Sequence, residues 1–350
     1  MPGTHLEMDL KALDVFACPE CGAELRVARR EEGGSQNGKI KEGQLRCTQC
    51  PATFPILRSM PRFVSSDEYA ASLGYQWNQF DKLQLDKFMR NDLSRERFYA
   101  TTGWPEHLEG QRVLEAGCGM GRFTQIALET GAEVFSFDLS SAIEANFKNN
   151  TDAAKVHIFQ ASIYKIPLRR EAFDKIFCMG VLQHCPNVKQ AFMSLIPFLR
   201  RGGEIAADVY QRHEGVPPLK YWARPFARRM QPQTLHTVLR WTIPPLFELK
   251  KALYKIPVAG EAIAALIPIG PLSHKPKLDY TDEELKEVKI LSALDMLSPA
   301  HDHPQRIEDV RAWFEEAGLE GIQIKLGFNG INAKGKKPIS PPEHHSRPNH

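Results

Sequence analysis

The stretch "VLEAGCGMGRFTQIALETGAEVFSFDLS", Val113 to Ser140, sets three glycines at alternate positions and an aspartate 21 residues after the first of them. Gly117, Gly119 and Gly121 follow one apolar run and open a helix-like pattern. Glycine there permits φ > 0 and close approach of bare backbone to a ligand. Asp138 closes the next apolar run. If the two runs are neighbouring parallel strands, both ends meet at the carboxyl edge of a sheet, where open α/β folds bind ligands. An acid at that place accepts hydrogen bonds from ribose hydroxyls, so the pattern points to a nucleoside. A ligand-free strand-to-helix turn would account for the glycines but not for the acid. The dinucleotide fingerprint is G-x-G-x-x-G. Here the spacing is G-x-G-x-G, and Arg122 stands where the third glycine would fall. Glu115, just before the turn, would repel a pyrophosphate and suits a cationic ligand. S-adenosylmethionine carries a ribose, a sulfonium and an amino acid without phosphate, and the pattern favours it as cofactor.

A second constellation is "CPEC" (Cys18, Cys21) and "CTQC" (Cys47, Cys50), 25 residues apart. Each pair can form a knuckle, and two knuckles give a closed tetrahedral site of four thiolates, the arrangement of structural zinc. Redox dithiols and an iron–sulfur centre are the alternatives. The Gly-rich "EEGGSQNGKIKEG" between the pairs reads as a hairpin turn. Cys118 lies in the glycine loop, exposed to oxidation on this reading, and Cys178 reads as core.

The elements that position these groups follow from periodicity. From Gln111 to Tyr210 the runs "RVLEAGC", "EVFSFDLS", "KVHIFQAS", "FDKIFCMGV" and "GGEIAADVY" alternate with helical patterns. That rhythm predicts an α/β fold, a doubly wound and mostly parallel seven-stranded sheet, with helices on both faces. We divide the chain into 1–64, a four-cysteine zinc ribbon; 65–110, aromatic-rich helices; 111–211, the cofactor-binding core; 212–305, a helical insertion or substrate cap; 306–338, a last helix and closing hairpin; and 339–350, a disordered tail. Composition is ordinary for a globular chain, 42% hydrophobic and 25% charged, and the net charge of +3 names no partner. The longest apolar stretch, Ile256 to Leu272, is broken by Pro257, Glu261, Pro268 and Pro271. It is unsuited to spanning a bilayer, which takes about 20 largely uninterrupted apolar residues. No secretory signal is visible, and seven cysteines, an odd number, fit a reducing compartment. Both predict a cytoplasmic protein.

"VLEAGCGMGRFT", "FDLS", "FDKIFCMGVLQHCP" and "LRRGGEI" resemble the successive motifs of class I S-adenosylmethionine-dependent methyltransferases, the type 11 group in particular. "YQWNQF" and "WFEEAGL" extend the resemblance weakly. By position it implies that Glu115, Gly117 and Gly119 line the methionine side, that Asp138 holds the ribose with Leu139 against the adenine, and that Ser162 and Ile163 flank the adenine edge. Relatives usually carry Asp where this chain has Ser162. The N-terminal segment, with "SMPRFV" after it, resembles the small zinc ribbon found alone as a methyltransferase activator and fused to some bacterial methyltransferases.

Methyl transfer from a sulfonium is an in-line displacement that needs alignment and exclusion of water, with a base only for a protonated nucleophile. Candidates sit at the ends of strands four and five: His184 as base or orienting group, and Asp208 and Tyr210 beside it. A helix-start histidine bonded to backbone and a rim-packing tyrosine are the plainer readings. No Asn/Asp-Pro-Pro-aromatic signature follows strand four, which weighs against exocyclic base amines as acceptors. Between Arg212 and Lys255 nine Lys/Arg face two Glu, with Tyr221, Trp222, Phe226, Trp241, Phe247 and Tyr254 interleaved. This segment is a helical cap, a lid touching a membrane or lipophilic substrate, or an RNA-binding surface. Asp295, His301, Asp302 and His303 follow it and could reach the pocket or hold a second metal. The sequence as a whole reads as a methyltransferase with a small-molecule or lipophilic acceptor. The alternatives are an RNA methyltransferase and a non-catalytic nucleoside-binding scaffold.

Overall fold

The computed structural model describes residues 8–30, 39–150, 155–212, 220–256, 259–270, 272 and 280–340. The Gly-rich turn over 31–38 and the tail from 341 onward lie outside them.

The chain opens with β1 (Met8–Asp9), which pairs with β3 (Lys39–Ile40). A four-stranded antiparallel sheet follows, ordered β2 (Leu25–Arg30), β4 (Gly43–Cys47), β5 (Thr53–Leu57) and β6 (Met60–Pro61). Three helices come next: α1 (Ala71–Gln79), α2 (Asp86–Met89) and α3 (Leu93–Thr102). The core then alternates β7 (Arg112–Ala116), α4 (Arg122–Glu129), β8 (Glu133–Asp138), α5 (Ile143–Asn150), β9 (Val156–Gln160), β10 (Phe173–Met179), α6 (Val188–Met193) and β11 (Leu199–Val209). An insertion carries α7 (Lys220–Ala227), α8 (Pro232–Leu253), α9 (Ala259–Ala265) and α10 (Asp282–Leu297). Finally α11 (Ile307–Glu316) leads to the hairpin β12 (Glu320–Gly327) and β13 (Gly330–Lys336).

The sheet has the expected seven strands, in the order β12-β13-β11-β10-β7-β8-β9. β7 to β11 run parallel and the β12–β13 hairpin closes the edge antiparallel. Strand alternation sends successive side chains to opposite faces. Val113, Val134, Phe177 and Ala206 pack under α3 and α4 with Phe98, Phe123 and Ile126. Leu114, Phe135, Ile176 and Ile205 pack on the other face with Phe192 of α6 and Phe314 of α11.

The cysteine ribbon does not hang free. Its Leu25, Leu45 and Ile56 belong to the same apolar cluster as Leu114 and Phe135. Phe16 is the bolt, its ring centroid 5.1 Å from Phe159 and 6.0 Å from Phe135. Phe63 N–H donates to the Gln160 carbonyl at 2.8 Å, and Arg62 pairs with Glu144. No described helix is long and apolar enough to cross a membrane.

Candidate active site

The carboxyl ends of β7, β8, β10 and β11 open on a cavity of about 380 Å³, roofed by α1, α2, α3 and α10. Gly117 and Gly119 lie on its floor with φ of +79° and +50°. A Cβ on Gly117 would sit 2.3 Å from Val181 Cγ2, and one on Gly119 3.3 Å from Trp77 Nε1. At Gly117 only bare backbone fits beside Val181, and at Gly119 a Cβ would press on the Trp77 ring. Gly121 serves packing instead. A Cβ there would sit 2.3 Å from Asn146 Oδ1, so this glycine lets α4 close on α5.

Asp138 ends β8 against that floor. Its Oδ2 accepts Gly119 N–H at 2.9 Å, and its Oδ1 accepts Ser140 N–H and Oγ–H at 2.8 and 2.7 Å. Burial pushes its carboxyl above the ordinary value against these donors. Leu139, Ala161 and Ile163 continue the wall. Ser162 does not line the cavity; its Oγ accepts Tyr164 N–H at 3.3 Å and shapes the turn after β9.

Glu115 is also elsewhere than the resemblance implies. It shares strand parity with Val113 and so faces α4 and α5, beneath the glycine loop. Its carboxyl accepts hydroxyl hydrogens from Thr124 and, at 2.7 Å, Ser136, while Asn146 Nδ2 donates to both hydroxyls at 3.0 Å. Burial pushes its carboxyl up to about 7. Two arginines, Arg97 and Arg122, do reach the cavity here, alongside Asp86 and Asp138. Their guanidinium carbons lie 5.2 and 5.0 Å from the Phe123 ring centroid. Arg122 Nε donates to Ser94 Oγ at 2.7 Å and Nη1 to Gln84 Oε1 at 2.9 Å. Burial, then repulsion from Arg97, pushes Arg122 down to about 9. Sequence patterns alone do not mark either arginine.

The far end is a set of locked side chains. Tyr210 O–H donates to Asp295 Oδ2 at 2.7 Å, and Asp295 Oδ1 accepts Gln76 Nε2–H at 3.0 Å. Burial and the Asp295 charge hold the phenol well above its ordinary range, so Tyr210 keeps its proton at neutral pH. His184 packs edge-on to Tyr210 with centroids 5.6 Å apart. Its Nδ1 lies 3.1 Å from the His301 carbonyl, which can only accept. The neutral ring therefore carries its proton on Nδ1 and a lone pair on Nε2. Asp208, fully buried, accepts Gly180 N–H at 2.6 Å and Arg97 Nε–H at 2.8 Å. Cys118 lines the cavity, but burial pushes its thiol well up, which opposes the oxidation expected for it. Cys178 is core.

The four ribbon cysteines converge: their sulfurs all lie within 4.8 Å of one another, with Cys18–Cys50 at 3.7 Å and Cys21–Cys47 at 3.4 Å. A tetrahedral ion with bonds of about 2.3 Å separates its sulfurs by about 3.8 Å, so the set fits zinc. Gln49 and Cys50 N–H groups point at Cys47 Sγ, both at 3.4 Å, and the Gln49 bond leads in pushing that thiol down to about 6. An ion held by all four sulfurs would have no open position, which suits a structural role. Among the described residues no other such cluster occurs, so Asp295, His301, Asp302 and His303 do not form a second metal site.

Over part of its length the chain is similar to methyltransferase domains. The family described as "Methyltransferase domain" matches residues 114–207. Three curated relatives show how wide the similarity runs. A tRNA U34 carboxymethyltransferase of Pseudomonas aeruginosa is 29% identical over 204 residues, 52% of this chain and 60% of that protein. A malonyl-[acyl-carrier protein] O-methyltransferase of Enterobacter lignolyticus is 36% identical over 95 residues, 27% and 37% of the two chains. A sterol 24-C-methyltransferase of Pneumocystis carinii is 24% identical over 289 residues, 78% and 68%. This chain thus spans less than two thirds of the length of the first two.

Proposed function

We propose that the protein is an S-adenosylmethionine-dependent methyltransferase with a small-molecule or lipophilic acceptor. The observation that carries the proposal is the glycine floor with Asp138 beside it. Gly117 and Gly119 present backbone of positive φ to the cavity, with Val181 and Trp77 packed where a Cβ would stand, and the half-buried Asp138 carboxyl stands at its edge. Asp138 would hold the ribose hydroxyls, Leu139 and Ile163 would flank the adenine, and Arg122 would hold the carboxylate of the amino acid. The bound cofactor would supply an electrophilic methyl group on a sulfonium. His184 is the residue suited to take the acceptor's proton, through Nε2. Tyr210, tied to Asp295, holds the His184 ring edge and shapes the acceptor end.

The lipophilic side of this reading rests on the walls: Leu73, Leu83, Met89 and Leu291 line the roof end of the cavity. The experiment that tests it incubates the protein with methyl-labelled cofactor and fractionated extract. Label entering lipid or small metabolites supports the reading; label in no fraction, with cofactor bound, supports the scaffold instead. The basic insertion and the relative named for tRNA U34 favour RNA as a second reading. Absence of binding to RNA at low salt would remove it.

A further inference from the structure

The insertion has a face that the cavity does not use. Helix α8 buries Leu235, Leu239, Ile243 and Phe247, the first three of which meet Ile290, Leu291 and Leu294 of α10 in the cap core. Around the helix from that stripe runs a second one: Val238, Trp241, Pro245 and Leu249, at spacings of three, four and four. Such spacing puts them on one side of an α-helix. Trp241 is 78% exposed, and Val238 and Leu249 are exposed with it. On α7, Trp222 and Phe226 stand one turn apart and are 67% and 74% exposed, while Arg224 ties the helix inward to the Met296 and Pro299 carbonyls at 2.6 and 2.7 Å. Ile263 of α9 and Leu266 just after it are exposed as well. Gly260 lets that segment close on α8: a Cβ there would sit 2.0 Å from the Leu253 carbonyl oxygen. Scattered exposed apolar residues need no explanation, but a concentration of large ones on one element group does.

Charge separates the occupants of such a face. Between residues 222 and 266 there are seven Lys/Arg and two Glu. Arg240 and Lys251 are paired with Glu287 and Asp282, and Glu248 with Lys286. Arg228, Arg229 and Lys255 are exposed and have no carboxylate within ion-pairing distance among the described residues. A second copy docked face to face would bring these like charges together. RNA would meet the cations, but Val238, Leu249, Ile263 and Leu266 offer a phosphate or a base edge nothing. A bilayer with anionic headgroups satisfies both sets, with Trp at the headgroup level, aliphatic tips below it and basic residues above.

We propose that the outer face of α7, α8 and α9 docks on an anionic phospholipid bilayer. The opposite side of α8 packs on α10, whose Val288, Leu291 and Ser292 wall the cavity, so the docked face lies one helix layer from the site. The docking stands or falls independently of methyl transfer, because its test reads partition and not turnover.

The test mixes the intact protein with sedimentable vesicles of phosphatidylcholine alone or of phosphatidylcholine with phosphatidylglycerol. The expected result is binding to the anionic vesicles, with a blue shift of tryptophan emission, and weak binding to the neutral ones. Trp241→Ser and Leu249→Ser, at solvent-exposed positions, lower partition about tenfold each. The double variant Arg228→Glu/Arg229→Glu removes the anionic preference, since each basic residue near such a surface is worth about 1 kcal/mol, or roughly fivefold. Unchanged thermal unfolding of each variant shows that the fold is kept. Failure of folded wild type to sediment with anionic vesicles overturns the proposal, as does equal binding to both kinds. Self-association in light scattering that Trp241→Ser abolishes, without vesicle binding, assigns the face to a second copy. Salt-sensitive RNA binding lost in the arginine variant, without vesicle binding, assigns it to RNA.

Discussion

The two ends of the cavity are built in different ways. The end assigned above to the cofactor has a floor of main chain and one carboxylate, contributed by segments close together in sequence: Gly119 N–H meets Asp138 across 19 positions. The acceptor end is side chain against side chain over long separations: Tyr210 with Asp295 across 85 positions, Arg97 with Asp208 across 111, Gln76 with Asp295 across 219. One end has its shape from strand geometry and the absence of Cβ atoms. The other has it from polar pairs that hold only while both members are present. The first should be insensitive to changes in the cap, and the second should fail partner by partner.

The largest expected effect is at Arg97. Its guanidinium is the cation beside Asp208, whose side chain is fully buried. Arg97→Ala strands that charge, and removing one partner of a buried pair costs about 3–5 kcal/mol. Chemical unfolding should show this loss. A variant within about 1 kcal/mol of wild type would show that the acceptor end does not depend on paired charge.

Next comes a pH effect from the polar pocket beneath the glycine loop. Burial raises Glu115 to about 7 from an ordinary 4.5. Below that ordinary value folded and unfolded chains both hold the proton, and Glu115 adds no pH dependence. Between 4.5 and about 7 the folded chain keeps a proton that the unfolded chain has released, so stability falls as pH rises. At higher pH the full penalty stands, on the order of 3 kcal/mol at about 1.36 kcal/mol per unit. Subtracting the stability profile of Glu115→Gln from that of wild type should isolate this slope. A flat difference would place the carboxyl in contact with solvent or ligand instead.

A smaller effect follows at Tyr210→Phe, which takes one donor from Asp295 and leaves Gln76. Loss of a hydrogen bond to a charged group is worth about 1.5–3 kcal/mol. The cost should appear in the KM for the acceptor while cofactor affinity stays unchanged. A matching drop in cofactor binding would erase the distinction between the two ends. Smallest is Ser162→Ala, within about 0.5 kcal/mol in cofactor affinity because its hydroxyl faces a turn.

How much of this is legible in the sequence follows from the same contrast. The sheet can be read because alternation is local: Val113 and Leu114 already separate the two faces. The glycines and Asp138 can be read because their chemistry needs no partner from afar. Glu115 misleads because its nearness to the glycine turn outweighs strand parity. The signal pointing the other way is Thr124 and Asn146, polar residues on the inner sides of α4 and α5. Arg97 and Arg122 give no pattern, since a lone arginine in a helix is usually solvated, and only the fold shows them converging on Phe123. The Tyr210–Asp295 bond needs the α10 insertion to return over the sheet, which no local rule predicts. The cysteine knuckles are plain from spacing. Their attachment through Phe16 and Phe63 to Phe159 is not, because aromatic packing across separate sheets leaves no periodic trace.

The central claim is that the glycine floor and Asp138 grip a nucleoside cofactor. Calorimetric titration of S-adenosylmethionine into wild type and Asp138→Ala tests it most directly. The account predicts one cofactor bound per chain, and an affinity about tenfold to a hundredfold weaker in the variant, the loss of a charge-assisted hydrogen bond. Wild type that takes up no cofactor, or a variant that binds as tightly as wild type, would contradict it.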